Sequence, residues 1–157
     1  MADLGTKSRR TSAAADGKTI LMVEDDPGVL ETLEAILRRR GHDVMRARDG
    51  VEALALLGTR MPDLILCDRI MPRMSGYELL EVIRAERPDL AAVPFVFLTV
   101  LGDQRDILAT DPLAPAAYIA KPVRARTLVD TVDRLIGARD PHDLGADEDT
   151  IIADHAA

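Results

Sequence analysis

Leu64-Ile-Leu-Cys-Asp68 runs straight into Arg69-Ile-Met-Pro-Arg-Met-Ser-Gly76, and this junction decides the fold. Four apolar residues end on one carboxylate, and a loop punctuated by Pro72 and Gly76 follows. Pro62-Asp63 is a turn signal before the run, whose length suits a strand buried on both faces. Such strands belong to parallel sheets covered by helices. A lone Asp at the end of one stands at the carboxyl edge of the sheet, where open α/β sheets hold their ligands.

The pattern repeats on either side. Thr19-Ile-Leu-Met-Val23 is a short apolar run ending in Glu24-Asp25-Asp26. Asp26 is placed to cap a helix and Pro27 to begin it. Val29, Leu30, Leu33, Ile36 and Leu37 recur at helical spacing, with Arg38-Arg39-Arg40 late in the helix and Gly41 as its stop. The spacing predicts a weak second strand over Asp43–Ala47, a turn at Asp49-Gly50 and a short helix over Val51–Leu57. After the opening strand a helix is predicted from Gly76 or Tyr77 to about Arg87. Pro94–Thr99 reads as the fourth strand, Asp103–Ala109 as a short helix, and Tyr118–Ala120 as the fifth strand, ending at Lys121-Pro122. Leu128, Val129, Val132, Leu135 and Ile136 mark the last helix, closed by Gly137. Five strand–helix alternations predict an α/β fold with one parallel sheet and right-handed crossovers.

The 157 residues suit one domain. Residues 1–17 lack periodicity and read as a flexible tail, residues 18–137 as the folded domain, and residues 138–157 as an acidic, disordered tail whose sole apolar pair is Ile151-Ile152. The formal net charge of −7 argues against direct DNA binding. No apolar run reaches membrane-spanning length and no signal core opens the chain, so a cytoplasmic protein without membrane attachment is expected. Cys67 is the single cysteine, which excludes an intrachain disulfide or a thiolate metal centre. It reads as a small buried apolar residue. His42, His142 and His155 have no ligand spacing and are expected in solvent, as is the Arg38–Arg40 run. Phe95 and Phe97 read as core.

Five residues share the predicted carboxyl edge: Glu24, Asp25, Asp68, Thr99 and Lys121. Three converging carboxylates repel unless a hard cation joins them. Mg²⁺ suits an all-oxygen set, and Mn²⁺ satisfies the same donors. Lys121 offers a point charge for a phosphate oxygen, and Thr99 a hydroxyl donor. An ionised carboxylate can act as a nucleophile toward a phosphoryl donor, a reaction that asks mainly for placement and charge neutralisation. Taken singly, Asp68 could cap a turn and Thr99 could merely end a strand. The set makes the chemical reading the stronger one.

Val23-Glu-Asp-Asp-Pro27, Asp68-x-x-Met71-Pro72-x-Met74-x-Gly76, Thr99 and Tyr118-x-x-Lys121-Pro122 together resemble the receiver domain of two-component response regulators, over roughly residues 18–137. The resemblance implies a flavodoxin-like fold with strand order 2-1-3-4-5. It implies Asp68 as phosphoacceptor, Asp25 as direct Mg²⁺ ligand, Glu24 acting through water, and the Ile70 backbone carbonyl as a further ligand. It implies Thr99 and Tyr118 as a coupled switch, although Tyr118 also reads as plain core, and Lys121 as the phosphate-pairing lysine before a cis proline. The implied partners are a histidine kinase or histidine phosphotransfer protein as donor, and a downstream protein on the strand 4–helix 5 face. That face also offers a homodimer contact. The implied role is signalling rather than enzymatic turnover.

The chain departs from the family pattern at Val100, Ser75 and the Pro112 to Pro115 region. Ile70 and Leu101 are apolar and cannot position an attacking water, which implies a long-lived phosphoryl group. Three rival readings remain: a degenerate receiver that binds proteins without phosphate, a receiver cut from a longer regulator, and a Mg²⁺-dependent aspartyl-phosphate hydrolase. The hydrolases usually carry Asp-x-Asp on the first strand, whereas here the acids are adjacent.

Overall fold

The computed structural model describes residues 17–100, 113–137 and 150–152. The helix expected over Asp103–Ala109, together with Leu101, Pro112, His142 and His155, lies outside the described residues.

Strands β1 (Thr19–Val23), β2 (Asp43–Ala47), β3 (Leu64–Asp68), β4 (Phe95–Val100) and β5 (Ala117–Lys121) form a parallel sheet in the order β2-β1-β3-β4-β5. The four described helices are α1 (Pro27–Arg39), α2 (Gly50–Leu57), α3 (Gly76–Glu86) and α4 (Ala125–Ile136), with a 3₁₀ turn at Pro88–Leu90. This is the doubly wound, flavodoxin-like arrangement expected from the alternating pattern.

Two-residue alternation along each strand sends side chains to two separate cores. Leu21, Val23, Ile65, Cys67, Phe95, Phe97 and Tyr118 pack on one face, against Ala53 and Leu57 of α2 and Leu79, Leu80 and Ile83 of α3. Ile20, Met22, Leu64, Leu66, Val96, Leu98 and Ile119 pack on the other, against Leu30, Leu33 and Leu37 of α1 and Leu128 and Val132 of α4. All five residues of β3 are buried. It is the central strand of the parallel sheet, so neither of its faces reaches water, which is why Leu64–Cys67 is a continuous apolar run rather than alternating.

Local chemistry sets where the helices begin. The Asp26 carboxylate accepts from the Gly28 and Val29 amides and Pro27 occupies the first turn of α1, as the sequence predicts. The Gly41 amide donates to the Arg38 carbonyl, and the Gly41 φ of 90° is the left-handed conformation a helix stop requires. Asp49 caps α2 through the Glu52 amide, so Asp49-Gly50 is a helix start rather than a free turn. Ser75 caps α3 and Glu78 returns a bond to the Ser75 amide, a full capping box.

Two expectations need revision. A sixth strand, β6 (Thr150–Ile152), pairs antiparallel with the outer edge of β5, within the stretch read as a disordered tail. His42 is buried, not solvated: its Nδ1 accepts the Lys18 amide at 3.0 Å, and burial lowers its pKa. The arginine run is exposed, as expected of a solvated helix end, but it also makes ion pairs. Arg38 pairs with Glu34 and Asp43, and Arg40 reaches the buried Asp133 across the α1–α4 contact at 2.8 Å. Positive charge at the end of α1 thus ties helix to strand and helix to helix.

Candidate functional site

The carboxyl ends of β1, β3, β4 and β5 bring the expected residues to one edge of the sheet. Parallel register aligns them: Val23 is abreast of Cys67, Asp68 of Leu98, Thr99 of Ala120 and Val100 of Lys121. Each functional residue therefore lies within two positions of the last pair of its strand, at the carboxyl edge of the sheet. Carboxylate oxygens of Glu24, Asp25 and Asp68 all lie within 4.8 Å of one another. Asp25 is exposed, while Glu24 and Asp68 are buried.

Lys121 reaches into this cluster, its Nζ 3.2 Å from Asp68 Oδ2 and 3.4 Å from Glu24 Oε1. The Lys121–Pro122 bond is cis. Burial opposes the ammonium charge, but Glu24 and then Asp68 outweigh it and raise the Lys121 pKa above the usual lysine value. The lysine is a fixed positive charge at neutral pH.

Glu24 carries the tension of the site. Its Oε2 accepts the Asp26 amide at 3.2 Å, but no hydrogen bond reaches its buried Oε1. Lys121 stands within ion-pair range of that oxygen without hydrogen-bond geometry. Burial, with the negative charge of Asp68 added, pushes the Glu24 carboxyl up to about 7. A buried carboxylate oxygen with no hydrogen-bond partner, facing two further carboxylates, is the donor set of a hard divalent cation such as Mg²⁺. The residues fit that group.

The loop after Asp68 is held from several sides. The Ile70 amide points to Asp68 Oδ1 at 3.4 Å, the Gly76 amide donates to the Arg69 carbonyl, and the Arg69 amide donates to the Leu98 carbonyl. Gly76 lies against the Asp68 carbonyl so closely that a Cβ would collide with it, and would stand 3.0 Å from Cys67 Sγ and 3.1 Å from the Phe97 ring. Here the glycine is required by close approach, which lets α3 start directly against the end of β3. Burial pushes the Cys67 thiol well up, so it stays protonated, as a small core residue would. Ile70, in the loop after β3, and Val100, the last residue of β4, are 79% and 70% exposed.

Thr99 is buried next to the end of β4. Tyr118 is fully buried with its ring centroid 5.4 Å from that of Phe97. The tyrosine is thus seated in the core between the sheet and α3 rather than at the surface.

One feature had no signal in the sequence. Arg73 adopts a left-handed backbone, φ 67°, and its Nε donates to Asp49 Oδ2 at 2.8 Å. Asp49 is the capping residue of α2, and the Gly50 amide donates to the Met74 carbonyl. The loop carrying Ile70 is thereby clamped to the start of α2. The two residues are 24 positions apart, and no spacing rule links them. By contrast, Ser75-x-x-Glu78 was a readable capping-box pattern.

Comparison with known proteins agrees with this geometry. The response regulator receiver domain family matches residues 20–133. The chain is 36% identical over 110 residues to the DNA-binding response regulator MtrA of Mycolicibacterium smegmatis, covering 70% of this chain and 46% of that protein. The chain therefore spans about half the length of that curated relative. It is 28% identical over 117 residues to protein PilH of Pseudomonas aeruginosa, covering 74% of this chain and 96% of that one. A crystal structure of a putative response regulator from Chloroflexus aurantiacus superposes with a TM-score of 0.70 at 36% identity, covering 78% of this chain and 99% of the other. With the acidic edge, the lysine and the strand order already in place, these matches establish that the chain belongs to the response regulator receiver domain family.

Proposed function

We propose that the chain takes a phosphoryl group onto Asp68 from a phosphohistidine of a histidine kinase or histidine phosphotransfer protein, and reports it to a downstream protein. Receiver domains serve as phosphoacceptors in two-component signalling, act generally as signalling modules rather than enzymes, and generally use Mg²⁺ at an acidic pocket. The observation that carries the assignment to these residues is the convergence of Glu24, Asp25, Asp68 and Lys121 at one sheet edge.

In this reading an Asp68 carboxylate oxygen attacks phosphorus, the nitrogen–phosphorus bond of the donor breaks, and its electron pair stays on the imidazole. Glu24, Asp25, Asp68 and the Ile70 carbonyl would hold Mg²⁺ or Mn²⁺. Bound there, the ion neutralises charge on the transferring group. Lys121 pairs with a phosphoryl oxygen instead of the Asp68 carboxylate it now faces. Thr99 donates its hydroxyl to the same group, and Tyr118 repacks in response, which alters the face around β4, β5 and α4. Phosphate bonds stabilise an arrangement the free protein already samples. Beside the site a cavity of about 480 Å³ lies between the start of α1 and the Lys121–Val123 segment, lined by Val29, Leu33 and Pro122 among others. Its position favours donor docking near α1.

The domain limits follow the same reading: 18–137 as the receiver, to whose sheet edge Thr150–Ile152 of the C-terminal stretch is added. No described helix is long and apolar enough to cross a membrane. Incubation with phosphoramidate and MgCl₂ tests the chemistry at Asp68. Intact mass should rise by one phosphoryl group, and hydroxylamine, which cleaves acyl phosphates, should reverse it. A chain that binds beryllofluoride and phosphoramidate no better with MgCl₂ than with EDTA is a degenerate receiver. Continuous release of phosphate from a phosphate ester would instead identify a hydrolase.

A further inference from the structure

We propose that the outer edge of β5 is a strand-docking surface whose resident occupant is this chain's own Thr150–Ile152, held weakly enough for an extended segment to replace it. In the parallel sheet β5 is the last strand, paired with β4 from Ala117 to Lys121. Its other edge would present unpaired amides and carbonyls, which proteins normally guard with charges, prolines or bulges. Ala117-Tyr-Ile-Ala120 contains none of these: it is uncharged and buried, and the guards stand outside it, at Pro115, Lys121 and Pro122. The protection comes from β6, which pairs Ile119 with Thr150, Tyr118 with Ile151 and Ala117 with Ile152. It is the one antiparallel pairing in the sheet among the described residues.

The sequence of β6 suits docking and release. Thr150-Ile-Ile152 is a β-branched triplet, favourable for a strand, set between Asp147-Glu-Asp149 and Asp154. Flanking acids in the sequence disfavour stacking of the segment on further copies. Three ladder positions supply little net stabilisation in water, and closing the chain between Gly137 and Thr150 opposes them. An equilibrium so balanced responds to modest competition. The contact is therefore autoinhibitory. It covers the β5 edge with a local strand until a partner supplies a longer one, by strand addition. None of this depends on the phosphoacceptor reading.

The test uses the full chain and Ile151→Pro, which keeps the tail but removes an amide and the extended pairing. The probe is a labelled peptide with the sequence of residues 147–154. In wild type, β5 amides should exchange slowly and the peptide should bind at least tenfold more weakly than to Ile151→Pro. In Ile151→Pro, β5 amides should exchange at least tenfold faster, while β1 and β3 amides keep their rates, and saturating peptide should restore β5 protection. Equal peptide binding to both chains, binding to neither, or unchanged β5 exchange would overturn the proposal. Faster exchange throughout the sheet would also overturn it, since β6 would then be an integral strand. A wild-type mass that rises with concentration and falls in Ile151→Pro would make a second copy the occupant and overturn the intramolecular assignment.

Discussion

Lys121 Nζ lies 3.4 Å from Glu24 Oε1, the one buried side-chain oxygen among the described residues that no hydrogen bond reaches. Burial, with the Asp68 charge added, pushes the Glu24 carboxyl up to about 7, and the lysine offsets only part of that. An unfolded glutamate titrates near 4.5. Between these values the folded state holds a proton that the unfolded state has lost. The contribution of Glu24 to stability is therefore fully present below about 4.5 and declines as pH rises through about 7. Wild type minus Glu24→Gln isolates this term from His42, whose lowered pKa makes stability fall with acidification instead. In EDTA the difference in Tm should shift against wild type from pH 5 to pH 8. Added MgCl₂ should raise the wild-type Tm more at pH 8 than at pH 6, because cation and proton compete for the same carboxylate.

The clamp between Arg73 and Asp49 yields a second prediction. Arg73→Ala leaves the buried Asp49 oxygen without its guanidinium and keeps the left-handed backbone, so a loss of about 1–3 kcal/mol is expected in urea unfolding at pH 7. Arg73→Gly removes the same contact but tolerates φ 67°, where a Cβ costs about 1–2 kcal/mol, and should be the milder variant. The Glu52 amide and then Arg73 hold the Asp49 pKa below the usual carboxylate range. The Arg73→Ala penalty should accordingly shrink as pH falls through that depressed value. If the loop positions the Ile70 carbonyl, Mg²⁺ titrated by calorimetry should bind both variants several-fold more weakly.

Gly76→Ala should be among the most damaging single-methyl additions. The new Cβ meets backbone at the Asp68 carbonyl and cannot rotate away. Overpacking in a tight core typically costs about 1–3 kcal/mol, and a backbone clash belongs at or above the top of that range. Urea unfolding or the yield of folded protein reads this directly. An alanine variant as stable as wild type would mean that α3 can slide off the end of β3.

The phosphoryl group should be long-lived. Ile70 is 79% exposed beside Asp68, and its apolar side chain has no group to orient water for attack. Replacing it with Asn supplies such a group and should shorten the lifetime. The measurement is loss of the phosphoryl mass after removal of phosphoramidate, with MgCl₂ kept. Decay of the wild type within seconds would contradict the expectation.

The fold was legible because β1, β3 and β4 carry uninterrupted apolar runs of strand length, and because Asp26-Pro27 and Gly41 punctuate α1. The site was legible because each of its residues sits at a strand end, so order along the chain already implies neighbourhood in space. Contacts that join distant positions through loops were not legible. Arg73–Asp49 and Arg40–Asp133 depend on loop and helix placement that no periodicity encodes. His42 misled for a related reason: polar neighbours in sequence said nothing of the Lys18 amide that donates to its ring. β6 was missed because three β-branched residues in an acidic stretch gain their strand character from the edge they meet.

The central claim is that Asp68, among all carboxylates of the chain, accepts the phosphoryl group. Phosphorylated protein reduced with borohydride converts an aspartyl phosphate to homoserine, and tryptic cleavage isolates Met61–Arg69, which holds two aspartates, Asp63 and Asp68. Asp63 is already engaged by the Thr19 amide at the opposite end of the sheet. Homoserine is expected at position 68 alone, with no phosphoryl mass in Asp68→Asn. Homoserine at position 63 or elsewhere, or full phosphorylation of Asp68→Asn, would contradict the account.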